Sequence, residues 1–346
     1  MQIDMHYYGT YVLARAAGLD REFATRVATA AQLVDDYDKN MSEPLADGSM
    51  LLVQPSAHGM LSLKNHDVVD QRFVWVPFHF LPGGIGDTLF AQLDCRADSL
   101  VAGEMLDNTL KYAEKDFFPE LVGVAAHVYA DTWSHAGFSG IRNERNRISL
   151  DSIQFDPELS HSAQKRIEDK LEQARANFEA NAADITGLGH AGVAECPDRP
   201  FLKWSYEWED HQEREQRVVR NNPELFLNAC EGLFTYFQRV AAVLRQGGAQ
   251  PFASIQGAIA GILAHDGDKD SRAEQWIAAV GLGKPFLAQG EDLPDYMGGA
   301  LVSRFSDVQN SDAMQQHPLF PFLLAVEAHR TYVLRDLLPR HGLLVA

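Results

Sequence analysis

The stretch Ala126-His127-Val128-Tyr129-Ala130-Asp131-Thr132-Trp133-Ser134-His135 decides how the chain is read. An α-helix advances about 100° per residue, so positions four and eight apart share a face, and His127, Asp131 and His135 fall on one stripe. With 13 His and 48 acidic residues in 346, His-x-x-x-(Asp/Glu)-x-x-x-His is expected by chance only about 0.07 times per chain. Around the stripe, Val122, Val124, Ala125, Ala126, Val128, Ala130 and Trp133 make the segment apolar nearly all round. Such a helix is buried, and its buried imidazoles and carboxylate need partners. Metal ions are the simplest partners. A rise of about 1.5 Å per residue puts His127 and His135 about 12 Å apart along the axis, too far to share one ion at bond lengths of about 2.0 to 2.1 Å. Asp131, midway and with two oxygens, is placed to bridge neighbouring ions, so the spacing predicts two or three of them.

Helical periodicity extends outward from this stretch. Apolar residues recur at helical spacing over 10–18 and 23–34, then over 98–114, 160–184, 223–245, 252–264, 270–279 and 318–338. The 160–184 segment is rich in charge, and its outer face is expected to be solvated. Residues 41–84 and 187–208 carry Gly, Pro and Ser punctuation and read as long structured loops, the first with one small hairpin. There is no repeat and no low-complexity linker. The expected fold is therefore mainly α: a single multi-helix domain over residues 1–346 with long structured loops, in which residues after about 247 form a possible helical appendix.

Composition narrows the function. Lys and Arg number 30 against 48 Asp and Glu, a net charge of −18, which opposes approach to polyanions and argues against broad nucleic-acid binding. Three widely spaced cysteines, Cys95, Cys196 and Cys230, form neither a disulfide framework nor a thiolate zinc motif. The first twenty residues do not read as a signal peptide, and no apolar run reaches the length of a membrane span. A cytoplasmic protein acting on a small-molecule substrate is expected; oligomeric state is left open.

Further metal ligands are sought in the irregular stretches and at helix ends. Asp4 and His6 lie near the start, Asp35 and Asp36 close a helix, His79 sits among Phe78, Phe80 and Leu81, and His190 precedes Asp198. Trp204, Tyr206 and Trp208 read as core or loop packing.

In that order, an N-terminal His, an Asp-Asp helix end, a His-Phe dipeptide, a His-x-x-x-Asp helix with a third His, and a later His before an acid, the residues resemble the zinc-dependent phospholipase C and single-strand nuclease superfamily. Its members are mainly α enzymes with three clustered zinc ions. The phrases Gln2 to Tyr8, His127 to His135 and Gly189-His190 with Pro197-Asp198 are also similar to an uncharacterised bacterial family over most of its length, which implies no function. By position, the superfamily resemblance implies that Asp36, His79, His127 and Asp131 hold one ion, His6 and Asp131 a second, and His135, His190 and Asp198 a third. The superfamily uses the amino group and carbonyl of a processed N-terminal Trp; here either Asp4 substitutes or that metal is absent. Its helix motif has five residues between Asp and the last His where this chain has three. Its final His-x-x-x-Glu/Asp spacing is met by His211 and Glu215 rather than by His190 and Asp198.

These readings converge on a hydrolase with two or three Zn2+ ions, Fe or Mn being the other candidates, with Asp131 and Asp36 as catalytic carboxylates and a phosphoester as the expected substrate. Alternatives are amide or lactone hydrolysis by the same cluster, a His/carboxylate diiron oxygenase, and a non-catalytic protein locked by its metals.

Overall fold

A computed structural model describes residues 1–59, 62–180, 187–209, 215–308 and 310–344. The chain opens with a π-helical turn, Asp4–Gly9, that runs into α1 (Thr10–Ala16). Helix α2 (Arg21–Asp36) starts where the Asp20 carboxylate accepts from the Phe23 N–H, an N-cap that satisfies one of the free first-turn donors. Next come α3 (Leu100–Thr109) and α4 (Phe118–Ser134), with Pro119 in the first turn of α4, where a missing N–H costs nothing. Helix α5 (His161–Ala180) is the charged one, and α6 (Asn222–Val243), α7 (Phe252–Leu263), α8 (Lys269–Leu282), α9 (Gly298–Ser306) and α10 (Phe320–Tyr332) follow. The mainly α expectation is met.

Helix α4 is the axis of the molecule: every residue in it is buried except Trp133, which is half-buried. It packs on α2, α3, α6 and α10. At Gly123 the approach of α2 leaves no room for a side chain: a Cβ would stand 2.2 Å from the Val27 carbonyl oxygen. A side chain there would force the two helices apart.

Irregular regions hold more regular structure than their punctuation predicts. Residues 41–84 contain the expected hairpin, β1 (Met41–Pro44) antiparallel to β2 (Met50–Val53), but Phe73 to Val76, within the stretch read as loop, lies in a helical segment. The larger difference is a three-stranded antiparallel sheet, β3 (Ile148–Phe155), β4 (Lys203–Trp208) and β5 (Arg217–Asn221), in the order β3-β4-β5. Trp204, Tyr206 and Trp208 alternate inward along β4 and are buried, which is the period-two signature of a strand with one face on a core.

Three apolar clusters result: one among α1 to α4 and α6 to α8, one where the end of α2 meets β2, α9 and α10, and one between the sheet and α5. Val76, Phe78 and Phe80 belong to one cluster each, so the segment bearing His79 sits where all three meet. Residues after 247 are no appendix, because Ile255, Ile259, Trp276 and Val280 are buried in the first cluster. No helix among the described residues is long and apolar enough to cross a membrane.

Candidate metal centre

The Asp131 carboxylate is 1% exposed and lies at the middle of the site. Its Oδ1 is 3.2 Å from His6 Nε2 and 2.5 Å from the Met1 amino nitrogen. Its Oδ2 is 3.2 Å from His127 Nε2, 3.4 Å from His79 Nδ1 and 3.6 Å from His135 Nδ1. Asp35 reaches the same side chains from the end of α2: Oδ1 lies 3.8 Å from His79 Nδ1 and 3.9 Å from His127 Nε2, and Oδ2 lies 3.9 Å from His6 Nε2. Beyond α4, Asp198 Oδ1 is 3.1 Å from His135 Nε2 and 3.2 Å from the Met1 nitrogen, and its Oδ2 is 3.6 Å from His190 Nε2. Three groups could each hold a metal ion: His6, His127 and Asp131; Asp35, His79 and His127; and His135, His190 and Asp198.

Tautomers decide what these contacts mean. The Nδ1 of His127 meets the Ala31 carbonyl at 2.8 Å, the Nε2 of His79 meets the Ser56 carbonyl at 2.9 Å, and the Nδ1 of His190 meets the Ala194 carbonyl at 2.7 Å. A carbonyl accepts only, so each of these nitrogens carries the proton. In the neutral form of each ring, the form that ligates a metal, the opposite nitrogen is then a lone pair. Those lone pairs point at each other and at carboxylates: His127 Nε2 lies 3.3 Å from His79 Nδ1, and both face Asp131 Oδ2. Acceptors facing acceptors in a buried site repel unless a cation lies between them. Nδ1–H donation to a backbone carbonyl is also how ligating imidazoles are held in orientation.

Distances add to this. Four ligands at about 2.0 to 2.1 Å from a tetrahedral centre stand about 3.3 to 3.4 Å apart. His79 Nδ1, His127 Nε2 and Asp131 Oδ2 form a triangle with edges of 3.3, 3.2 and 3.4 Å, and Asp35 Oδ1 lies a little further off as a fourth donor. His6 is fully buried, neither of its nitrogens makes a hydrogen bond among the described residues, and its ring stacks on His127 at 3.8 Å. Asp35 and Asp131 each present one oxygen to His6 and the other to the His79–His127 pair, the arrangement of two carboxylates bridging two ions.

Charge points the same way. Burial, helped by the neighbouring His127 and the Met1 ammonium, holds His6 down to about 4, and burial holds His190 down to about 4; both are neutral at pH 7. Burial would raise the Asp131 carboxyl, but His135, the Met1 ammonium, His127 and His6 outweigh it and hold it well below the usual range. Asp198 is likewise held low against its burial by the ammonium, His190 and His135. Burial lowers the Met1 ammonium, yet Asp131, Asp198 and Asp35 override this and push it to about 11. Asp35, Asp131 and Asp198 thus gather around a single ammonium, a set of carboxylates that a cation would join favourably.

Two sequence expectations change. Asp4 is buried away from the cluster, with the Arg272 Nε 2.7 Å from its Oδ2; an arginine partner within the core has captured it. Asp36 gives way to Asp35: its Oδ2 accepts from the Tyr296 hydroxyl at 2.6 Å and its Oδ1 from Gln32 Nε2, because adjacent helical residues point about 100° apart and only one faces α4. His6, His79, His127, Asp131, His135, His190 and Asp198 are brought together. Glu215 is exposed, and His211 lies outside the described residues.

Several supporting residues carried no signal in the sequence. Asn222 donates to the carbonyls of Cys196 and Arg199, each at 2.8 Å, and so clamps the turn that bears Asp198. Arg220 donates to the carbonyls of Ser134 and Ala136 at 2.6 and 2.8 Å, closing the C-terminal end of α4 beside His135. Gly189 has φ +51° and leaves room for Phe80, whose ring would stand 2.3 Å from a Cβ. The missed sheet is what delivers Arg220 and Asn222. Met1 is the other unforeseen member.

Residues 1–337 match the model of a family of unknown function (DUF6765). No curated protein and no solved structure matches the chain.

Proposed function

The chain belongs to that family, and we propose that it is a metal-dependent hydrolase acting on a phosphoester through two or three zinc ions. The observation that carries this reading is the set of imidazole lone pairs, orientated by backbone carbonyls, converging on shared carboxylates at the edge lengths of a tetrahedral site. A donor set of imidazole and carboxylate without thiolate favours catalytic over structural zinc. Bound there, the cations would bring the pKa of water towards neutrality and offset charge growing on phosphoryl oxygens. Asp131 and Asp35 would hold neighbouring ions between them, and His127 and His79 are oriented by the carbonyls of Ala31 and Ser56. The remote likeness to the zinc phospholipase C and nuclease superfamily agrees with this arrangement.

Elemental analysis of the purified full chain, followed by assays on bis(4-nitrophenyl) phosphate and 4-nitrophenyl phosphate before and after chelation, tests the proposal. We expect two to three equivalents of zinc and hydrolysis that chelation abolishes and zinc restores. Two bound irons with oxygen uptake on reduction would replace the proposal with the diiron reading. Bound metal whose removal only unfolds an inactive protein would reduce it to a structural role.

A further inference from the structure

A cavity of about 230 Å3 opens beside the cluster, lined by His58, Asn65, Trp75, Phe80, Leu188, His190 and Ala191. Its walls are continuous with the candidate ligands. The Phe80 ring stacks on His135 at 4.7 Å, Trp75 lies 5.1 Å from His79, and His190 belongs to both the cavity and the third metal group. We propose that this cavity receives the organic part of the substrate, and that this part is a neutral aryl group carried on the phosphoester oxygen. The proposal rests on the hydrolase reading and adds to it a substrate class.

The chemistry of the wall selects the ligand. Among the described residues no carboxylate lines the cavity, so a quaternary ammonium or other cationic group would lack a counter-charge. A sugar needs several hydrogen-bonding groups, but these are committed: Asn65 Oδ1 accepts from the Trp75 indole, Asn65 Nδ2 donates to the Gly59 carbonyl, and His190 Nδ1 donates to the Ala194 carbonyl. His58 Nε2 is buried and lies 3.4 Å from Asp70 Oδ1, so this ring too turns its polar edge to a carboxylate outside the cavity lining. Trp75 and Phe80 meet at 60°, giving a ring both a face and an edge to pack on. An apolar cavity of about 150 Å3 takes benzene, so the larger volume here suits a substituted ring or a fused pair. In the reaction the water oxygen bonds phosphorus, the bond from phosphorus to the aryl oxygen breaks, and the proton released by the water ends on the leaving phenol.

The test is calorimetric titration of the zinc-loaded full chain with phenylphosphonate and methylphosphonate, which share the anionic head and differ in the group offered to the cavity. Phenylphosphonate is expected to bind about tenfold or more tightly. Ala191→Phe, which puts a ring into the cavity lining, should remove the difference with zinc content unchanged; Leu188→Phe, at a second lining position, serves if the first variant does not fold. Equal affinity for the two compounds, no binding of either, or a preference that survives both substitutions would overturn the proposal. Phenyl preference without turnover of any phosphoester would instead overturn the hydrolase reading, and phosphoester turnover without the preference would overturn the cavity alone.

Discussion

The two halves of the cluster are built by different means. On one side of Asp131, His127 and Asp35 stand on α4 and α2, and His79 on the segment where the three apolar clusters meet. These ligands are placed by packing of long elements. On the other side, His135 ends α4 while His190 and Asp198 ride on short turns, and their positions depend on side chain to backbone hydrogen bonds from Asn222 and Arg220 and on the backbone freedom of Gly189. The contrast teaches that the first half should follow helix packing and the second should follow individual polar contacts, with Asp131 common to both.

The largest effect should come from the shared residue. Asp131→Asn removes the negative charge that faces both halves; we expect loss of most bound metal, hydrolysis lower by about 10³-fold or more, and much of the helical circular dichroism retained. Full metal retention by elemental analysis would break the idea of a common bridge. Next is Gly123→Ala, which drives a methyl group into the Val27 carbonyl and should cost about 3 kcal/mol in urea unfolding. Metal affinity at the Asp35, His79 and His127 side should weaken more than at the other, as read by stepwise zinc titration; equal weakening would erase the contrast.

Asn222→Ala should act on the second half. Loss of two backbone contacts to the 196–199 turn should weaken its ion about tenfold or more while the first pair of ions is kept, giving a stoichiometry that falls by one in a dilute chelator. The smallest effect belongs to the charged helix α5, where Glu168 accepts from Gln164 at the surface. Glu168→Ala should change unfolding free energy by less than about 0.5 kcal/mol and leave metal content unchanged, which calibrates the other three measurements.

The row on α4 was legible along the chain, because it is written in helical period. Spacing of four and eight placed His127, Asp131 and His135 together, and apolar surroundings said that the row was enclosed. Both Asp35 and Asp36 were candidates, and the carry-over by position to Asp36 failed because a helix end leaves open which of two adjacent carboxylates faces its neighbour; Asp35 reaches His79 and His127 while Asp36 is held by Tyr296 and Gln32. Trp204, Tyr206 and Trp208 did carry a strand signal in their alternation, obscured by the Gly- and Pro-rich run before them. Arg220 and Asn222 carried none, since their work is done on carbonyls more than twenty residues away in the chain.

By itself, then, the order of amino acids determined a mainly helical protein and a buried imidazole and carboxylate stripe on one helix, since both depend on a period that repeats within a single element. Tertiary structure alone decided which further groups join that stripe: Asp35 in place of Asp36, Asp4 withdrawn to Arg272, the Met1 amine among the carboxylates, and the Trp75–Phe80 cavity alongside. Side chains from five separate stretches meet there only after three apolar clusters have closed around His79, and proximity of that kind has no local period to record it.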